Sequence, residues 1–371
     1  MKTMKLKGKG ATIKSGGMRQ CSLFEGALPL KINKPLRLIE LFAGIGAQAK
    51  ALENLGIKFE HYRICEINKY AVKSYNAIHG TNFITSNIAQ ISGEDLGIVD
   101  TDKYEYIMTY SFPCTDLSNV GKRHGMSRDS GTRSSLLWQV ERLLKGTKQL
   151  PQILLMENVP DVLSEKNNKD FFAWCKFLER LGYTNKYAVL NAKDFGIPQN
   201  RKRCFMLSWL GDYYYDFPEK VQMKSFEDFL EFDERYIINP EKLTQTQKNC
   251  IKHLANGVLS KTIRSGGIKS RDRHEWGVYS VELRQSEKFI KNKSLYIENL
   301  SKTICAQHLL SYTIDGRVYF DYSPKECWRL MGFTDKDFEK ASKVNSNAQL
   351  YKQAGNTIVV DVLVNIFKNL F

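Results

Sequence analysis

Cysteine is the strongest nucleophile among side chains near neutral pH, and one of the eight in this chain stands where a nucleophile would be of use. Cys114 lies in the stretch SFPCTDLS (111–118), directly after an apolar run, 104–110, that predicts a buried strand. In a parallel sheet the C-terminal strand ends open on one edge, and ligands bind there. A lone cysteine is more often a small, inert core residue, so position alone says little. A second strand end adds weight. The run 152–156 is wholly apolar after its first residue and leads into Glu157-Asn158-Val159-Pro160, so Glu157 can converge with Cys114 although 43 positions separate them. After Cys114 comes a polar, glycine-dotted loop, 119–132, with Lys122, Arg123, His124 and Arg128 along it, suited to closing over a phosphate-bearing substrate.

The elements that must position these residues follow from periodicity. An apolar strand, 36–42, runs into Ala-Gly-Ile-Gly and then into a segment with helical spacing, 47–55. Gly44 and Gly46 would let the backbone pass close to a ligand at the helix N-terminus, a weak signal by itself because glycines also end strands for steric reasons. A strand over 62–67 carries Glu66 at its tip, placed to accept hydrogen bonds from ribose hydroxyls. A third unit, 83–91, holds Asn87 and Ile88. The spacing predicts helices over 134–145 and 170–181 and strands over 187–191 and 204–209. This alternation over 36–210 predicts a doubly wound α/β domain. Residues 323–371 return to helical patterning, with Gly355-Asn356-Thr357 expected to open the last helix.

The formal charge of +15 in 371 residues points to a polyanionic partner. Residues 1–37 hold nine Lys or Arg against one acid, Glu25, and read as a flexible basic arm, either a solvated tail or a nucleic-acid contact. Residues 211–322 lack regular alternation and include a glycine-containing basic stretch, 263–274, which reads as a DNA-contacting module with a solvated loop region as the plain alternative. With no CxxC pair and no His at metal-ligand spacing, neither a zinc site nor a disulfide framework is expected. No bilayer-length apolar run or signal-peptide pattern is present, and a cytoplasmic setting is expected.

FAGIGAQAKAL (42–52), CE (65–66), SFPCTDLS (111–118), TRSSLLW (132–138), MENVP (156–160), FGIPQNRKR (195–203), SPKECWRLMGF (323–333) and QAGNTIVVDVL (353–363) resemble, in order, the motifs of the DNA cytosine-5 methyltransferases of bacterial or phage type. The resemblance covers the chain from about residue 36 onward, apart from the variable 211–322 stretch. It implies an S-adenosylmethionine-dependent methyltransferase domain, Rossmann-like with a mixed sheet, formed by 36–210 and 323–371. It also implies a smaller inserted target-recognition domain over 211–322, with 1–35 as the arm. The implied activity is methyl transfer to carbon 5 of a flipped-out cytosine in double-stranded DNA, by a monomer without metal, with a cognate restriction endonuclease acting separately or a phage or solitary setting.

Carried over by motif, Cys114 is the nucleophile at carbon 6, Glu157 binds the ring at N3 and the amine, Asn158 holds the loop, and Arg201 and Arg203 help hold Glu157 and the base oxygen. Phe42, Gly44 and Gly46 surround the methionine part of S-adenosylmethionine; Glu66 takes the ribose and Ile67 with Ile88 the adenine. Asn87 meets the adenine amine, and Pro113, Leu136 and Asn356 make further cofactor contacts. Ser118, Lys122, Arg123, Arg133, Arg264, Lys269, Arg271, Arg273 and Thr303 are the candidate DNA contacts. Two positions depart from the family pattern: Thr115 replaces the usual Gln and Asn87 the usual Asp. An RNA-directed enzyme with the same catalytic motifs is the sharper rival, ahead of a silent DNA-binding module; a dinucleotide oxidoreductase would leave the Pro-Cys, Glu-Asn-Val and Gln-x-Arg-x-Arg segments without a role.

Overall fold

The computed structural model describes residues 27–114, 116–117, 125–128, 130–231, 235 and 322–371, together with the backbone of 301–302, 311–314 and 318–321. Six strands build the central sheet: β1 (Leu36–Leu41), β2 (Phe59–Cys65), β3 (Glu105–Tyr110), β4 (Ile153–Asn158), β5 (Tyr183–Asn191) and β6 (Lys202–Leu210). Their spatial order is β2-β1-β3-β4-β6-β5. The first four are parallel, and β6 runs antiparallel to both β4 and β5, so the sheet is mixed.

The inner strands are mostly apolar because both faces of the sheet are covered, whereas the edge strands β2 and β5 carry polar, partly exposed residues. Successive side chains point to opposite faces, which splits each strand between two cores. Leu36 and Leu38 of β1, Ile153 and Leu155 of β4 and Phe205 and Leu207 of β6 pack with α1 (Ala47–Asn54) and with α8 (Val360–Lys368). Ile39 and Leu41, Leu154 and Met156, and Cys204 and Met206 pack on the other face with α3 (Leu137–Gly146) and α4 (Asn168–Arg180). Between these come α2 (Lys69–His79), capped by the Asn68 side chain, and α5 (Pro324–Arg329), α6 (Asp335–Ser342) and α7 (Asn347–Asn356). Capping boxes at Ser323/Glu326 and Thr334/Asp337 start α5 and α6. No helix among the described residues is long and apolar enough to cross a membrane.

Three expectations need correction. The 83–91 unit forms no strand: Asn76 binds both the N–H and the carbonyl of Phe83, Asn87 turns the chain by accepting from the Ala89 N–H (3.0 Å), and Ile84 points outward. Local side-chain bonds of this kind offer the backbone an alternative to a ladder. Glu157 and Asn158 lie inside β4 rather than beyond it, opposite Phe205 and Cys204. Gly355, Asn356 and Thr357 close α7 instead of opening the last helix, which starts at Val360.

Candidate active site

Because β3 and β4 are parallel neighbours, their C-terminal ends bring the 111–114 segment and Glu157 to one edge of the sheet. Two side chains hold the segment from either side. Asn158 Nδ2 donates to the Phe112 carbonyl (2.9 Å), and Ser134 Oγ donates to the Pro113 carbonyl (2.7 Å). Asn158 is itself oriented by the Val159 N–H, which donates to its Oδ1 (2.8 Å). Half-buried Cys114 is thus carried on a backbone fixed one and two residues before it. Ser134 falls in the TRSSLLW motif and at the start of the predicted 134–145 helix, and neither place signals that it reaches back across 21 residues.

Glu157 is buried, and Arg203 Nε lies 3.1 Å from its Oε1. Burial pushes the Glu157 carboxyl above the usual carboxylate range, while Arg203, Arg201 and the Ser111 hydroxyl pull it back. The Cys114 thiol is also raised, first by burial and then by Glu157, against the lowering charges of Arg203 and Arg201. The four groups therefore share one electrostatic environment. Arg201 is buried, and its Nη2 donates to the carbonyls of Thr357 (2.8 Å) and Gly355 (3.1 Å), tying the end of α7 to this edge of the sheet.

On β1 the turn after the strand puts Phe42, Gly44 and Gly46 in left-handed conformations, with φ of +58°, +57° and +80°. At Gly44 a side chain would meet nothing within 4 Å, so the backbone faces open space. The Gly44 N–H donates to Glu66 Oε2 (3.0 Å) and the Asn68 N–H to Glu66 Oε1 (2.7 Å), which holds the carboxylate still with lone pairs to spare for hydroxyls. Ile67, next to it, is 68% exposed, an aliphatic surface ready to be covered by a flat ring. Ile88 is buried instead, its carbonyl accepting from Arg142 Nη2 (2.8 Å), a residue that nothing in the sequence singled out. Asn87 uses its Oδ1 on the Ala89 N–H; Pro113 and Leu136 are half-buried, and Asn356 is exposed at the end of α7. Glycine backbone, anchored acid and bare aliphatic side chain fit S-adenosylmethionine.

Of the candidate DNA contacts, Arg133 is exposed, with its N–H donating to Asp116 Oδ2 (2.9 Å) beside the Cys114 segment. Ser118, Lys122, Arg123, Arg264, Lys269, Arg271, Arg273 and Thr303, like Thr115, lie outside the described residues. Arg128 is no free loop cation: it pairs with Glu141 and lies 4.0 Å over the Trp138 ring.

Residues 36–371 match the family described as C-5 cytosine-specific DNA methylase. Over 91% of its length the chain is 31% identical to the type II methyltransferase M2.ScrFI of Lactococcus lactis subsp. cremoris, of which it covers 99%. It is 28% identical to the orphan methyltransferase M.SPBetaI of Bacillus phage SPbeta, over 90% of this chain and 97% of that one. The methyltransferase EhMeth of Entamoeba histolytica shares the fold with a TM-score of 0.63 at 18% identity, over 91% of this chain and 98% of that one. A match that starts with β1 and runs through α8 takes in the whole sheet and both helix layers, and the chain belongs to the family of C-5 cytosine-specific DNA methylases.

Proposed function

We propose that Cys114 and Glu157 carry out the reaction of this S-adenosylmethionine-dependent DNA (cytosine-5-)-methyltransferase through a covalent adduct with a flipped-out cytosine. Carbon 5 of cytosine is a poor nucleophile while the ring is aromatic. The Cys114 thiolate adds to carbon 6, forming a C–S bond, and Glu157 gives its proton to N3 so that the ring's electrons collect at carbon 5. S-adenosylmethionine, when bound, supplies the electrophilic methyl group that carbon 5 takes up. A base then takes the carbon 5 proton, the C–S bond breaks to release Cys114 as a thiolate, and N3 returns its proton to Glu157, which restores the ring. The observation that carries this reading is the parallel pairing of β3 and β4, which brings the Cys114 segment to the same sheet edge as the buried Glu157 and its ion pair with Arg203.

In this reading Arg203 orients the Glu157 carboxyl through their 3.1 Å contact. Asn158 and Ser134 position the nucleophile's backbone. Phe42, Gly44, Gly46, Glu66 and Ile67 would hold the cofactor, and Asn87, Ile88, Pro113, Leu136 and Asn356 border it. A stacked cytosine is out of reach of Cys114, so the base must leave the duplex, at a cost of a few kcal/mol. Arg133, beside the Cys114 segment, would meet the DNA backbone, and residues 211–322 would select the target sequence. Cys114→Ala should abolish methyl transfer to duplex DNA while S-adenosylhomocysteine still binds by calorimetry. Undiminished turnover by that variant would remove Cys114 from the reaction.

A further inference from the structure

Behind the glycine turn lies a group of polar side chains that the reaction does not use. His79, the last residue of α2, has a side chain with no exposed surface. Its Nδ1 is 2.6 Å from Glu53 Oε1 on α1, and its Nε2 is 3.2 Å from the carbonyl oxygen of Ile45, inside the turn. Tyr75, one helical turn earlier, donates to Glu40 Oε2 (2.5 Å), and His61 Nδ1 lies 3.0 Å from the Tyr75 hydroxyl. The packing leaves no room in front: a Cβ on Gly46 would sit 2.4 Å from His79 Nε2 and 2.7 Å from the Tyr75 ring. The imidazole is wedged against the Ile45–Gly46 peptide, next along the chain from Gly44, whose N–H donates to Glu66.

The Ile45 carbonyl can only accept, so His79 is the donor at Nε2, while Nδ1 shares a hydrogen with Glu53 Oε1. Glu53 is held in turn by Lys50, whose Nζ lies 3.4 Å from its second oxygen. Burial and the neighbouring His79 push His61 down to about 4. Glu53, His61 and His79 are also close enough together to suggest a metal site. Their spacing argues against it. Two ligands bound tetrahedrally at about 2.0 Å stand roughly 3.3 Å apart, whereas 2.6 Å is a hydrogen bond.

We propose that His79 is a positioning residue for S-adenosylmethionine: by donating to the Ile45 carbonyl it fixes the Ile45–Gly46 peptide and so aims the Gly44 backbone and Glu66 at the cofactor. The proposal rests on the reading of that turn as the cofactor site. Two substitutions separate its bonds, because the amide nitrogen of Gln falls near Nε2 of the imidazole and that of Asn near Nδ1. His79→Gln keeps a donor for Ile45, and His79→Asn keeps one for Glu53 alone.

The test is calorimetric titration of the full chain with S-adenosylhomocysteine, without DNA, followed by kinetics on duplex DNA. His79→Asn should weaken binding roughly tenfold, the loss of one buried hydrogen bond. The KM for S-adenosylmethionine should rise in parallel and kcat at saturation stay within about twofold. His79→Gln should stay within about threefold of the wild type. Equal affinities for the two variants, a loss confined to kcat, or stoichiometric metal in the purified enzyme would overturn the proposal. If His79→Asn does not fold, Glu53→Gln, which removes the anchoring charge, should weaken binding severalfold, and unchanged affinity would overturn it equally. Glu66→Ala isolates the underlying reading: if it binds as tightly as the wild type, the cofactor lies elsewhere, whatever His79 does.

Discussion

Cys114 and Glu157 act on each other before any substrate arrives. The carboxylate raises the thiol, and Arg203 and Arg201 lower it, so the nucleophile's readiness is set by a balance of neighbours on top of its burial. The balance can be read in the free enzyme by the pH dependence of Cys114 alkylation with iodoacetamide, mapped by peptide mass. Arg203→Gln removes a lowering charge, and the alkylation profile should move to higher pH. Glu157→Gln removes a raising charge and should move it to lower pH. Profiles that coincide with the wild type would mean that the groups do not share a site. The same arrangement explains why Glu157 suits an acid's role, since burial favours the protonated carboxyl that N3 requires.

Among the elements, β1 carries an acid that the reaction leaves idle. Glu40 is fully buried between the sheet and α1, and burial raises its pKa from 4.5 to about 7, against the lowering effect of the Tyr75 bond. A raised carboxyl stabilises the fold in full below its unfolded pKa, and that stabilisation is lost as pH climbs through about 7. Relative to Glu40→Gln, the wild type should therefore lose about 3 kcal/mol between pH 4.5 and pH 8. Urea denaturation of both proteins across this range checks it; parallel curves would contradict it. Much at this scale was legible in the sequence, because strands buried on both faces must be written as apolar runs and Gly44 and Gly46 stand where left-handed backbone is needed. The 83–91 segment was not legible: its form comes from Asn76 and Asn87 bonding the backbone, a choice that composition does not reveal. Nor were Ser134, Arg142 and His79, whose partners lie 21, 54 and 34 residues away and are set by packing alone.

In the whole molecule, the C-terminal helices are held to the catalytic edge by Arg201. Two bonds from its Nη2 reach 154 and 156 residues along the chain, and removing them leaves one buried and one half-buried carbonyl short of a donor. Arg201→Ala should cost about 3 kcal/mol by urea denaturation; a loss under 0.5 kcal/mol would show that α7 and α8 are secured without it. The fold then brings three remote parts to one point: the Cys114 segment, Glu157 with its arginines, and the glycine turn with Glu66. The product proposed for them is a covalent protein–DNA bond, which a duplex whose target cytosine carries fluorine at carbon 5 would capture, because the proton that must leave is absent. Incubated with S-adenosylmethionine and this duplex, the enzyme should yield a denaturant-resistant complex whose cross-linked peptide contains Cys114, and Cys114→Ala should yield none. A complex that dissociates in denaturant, or a cross-link at another cysteine, would contradict covalent catalysis by Cys114.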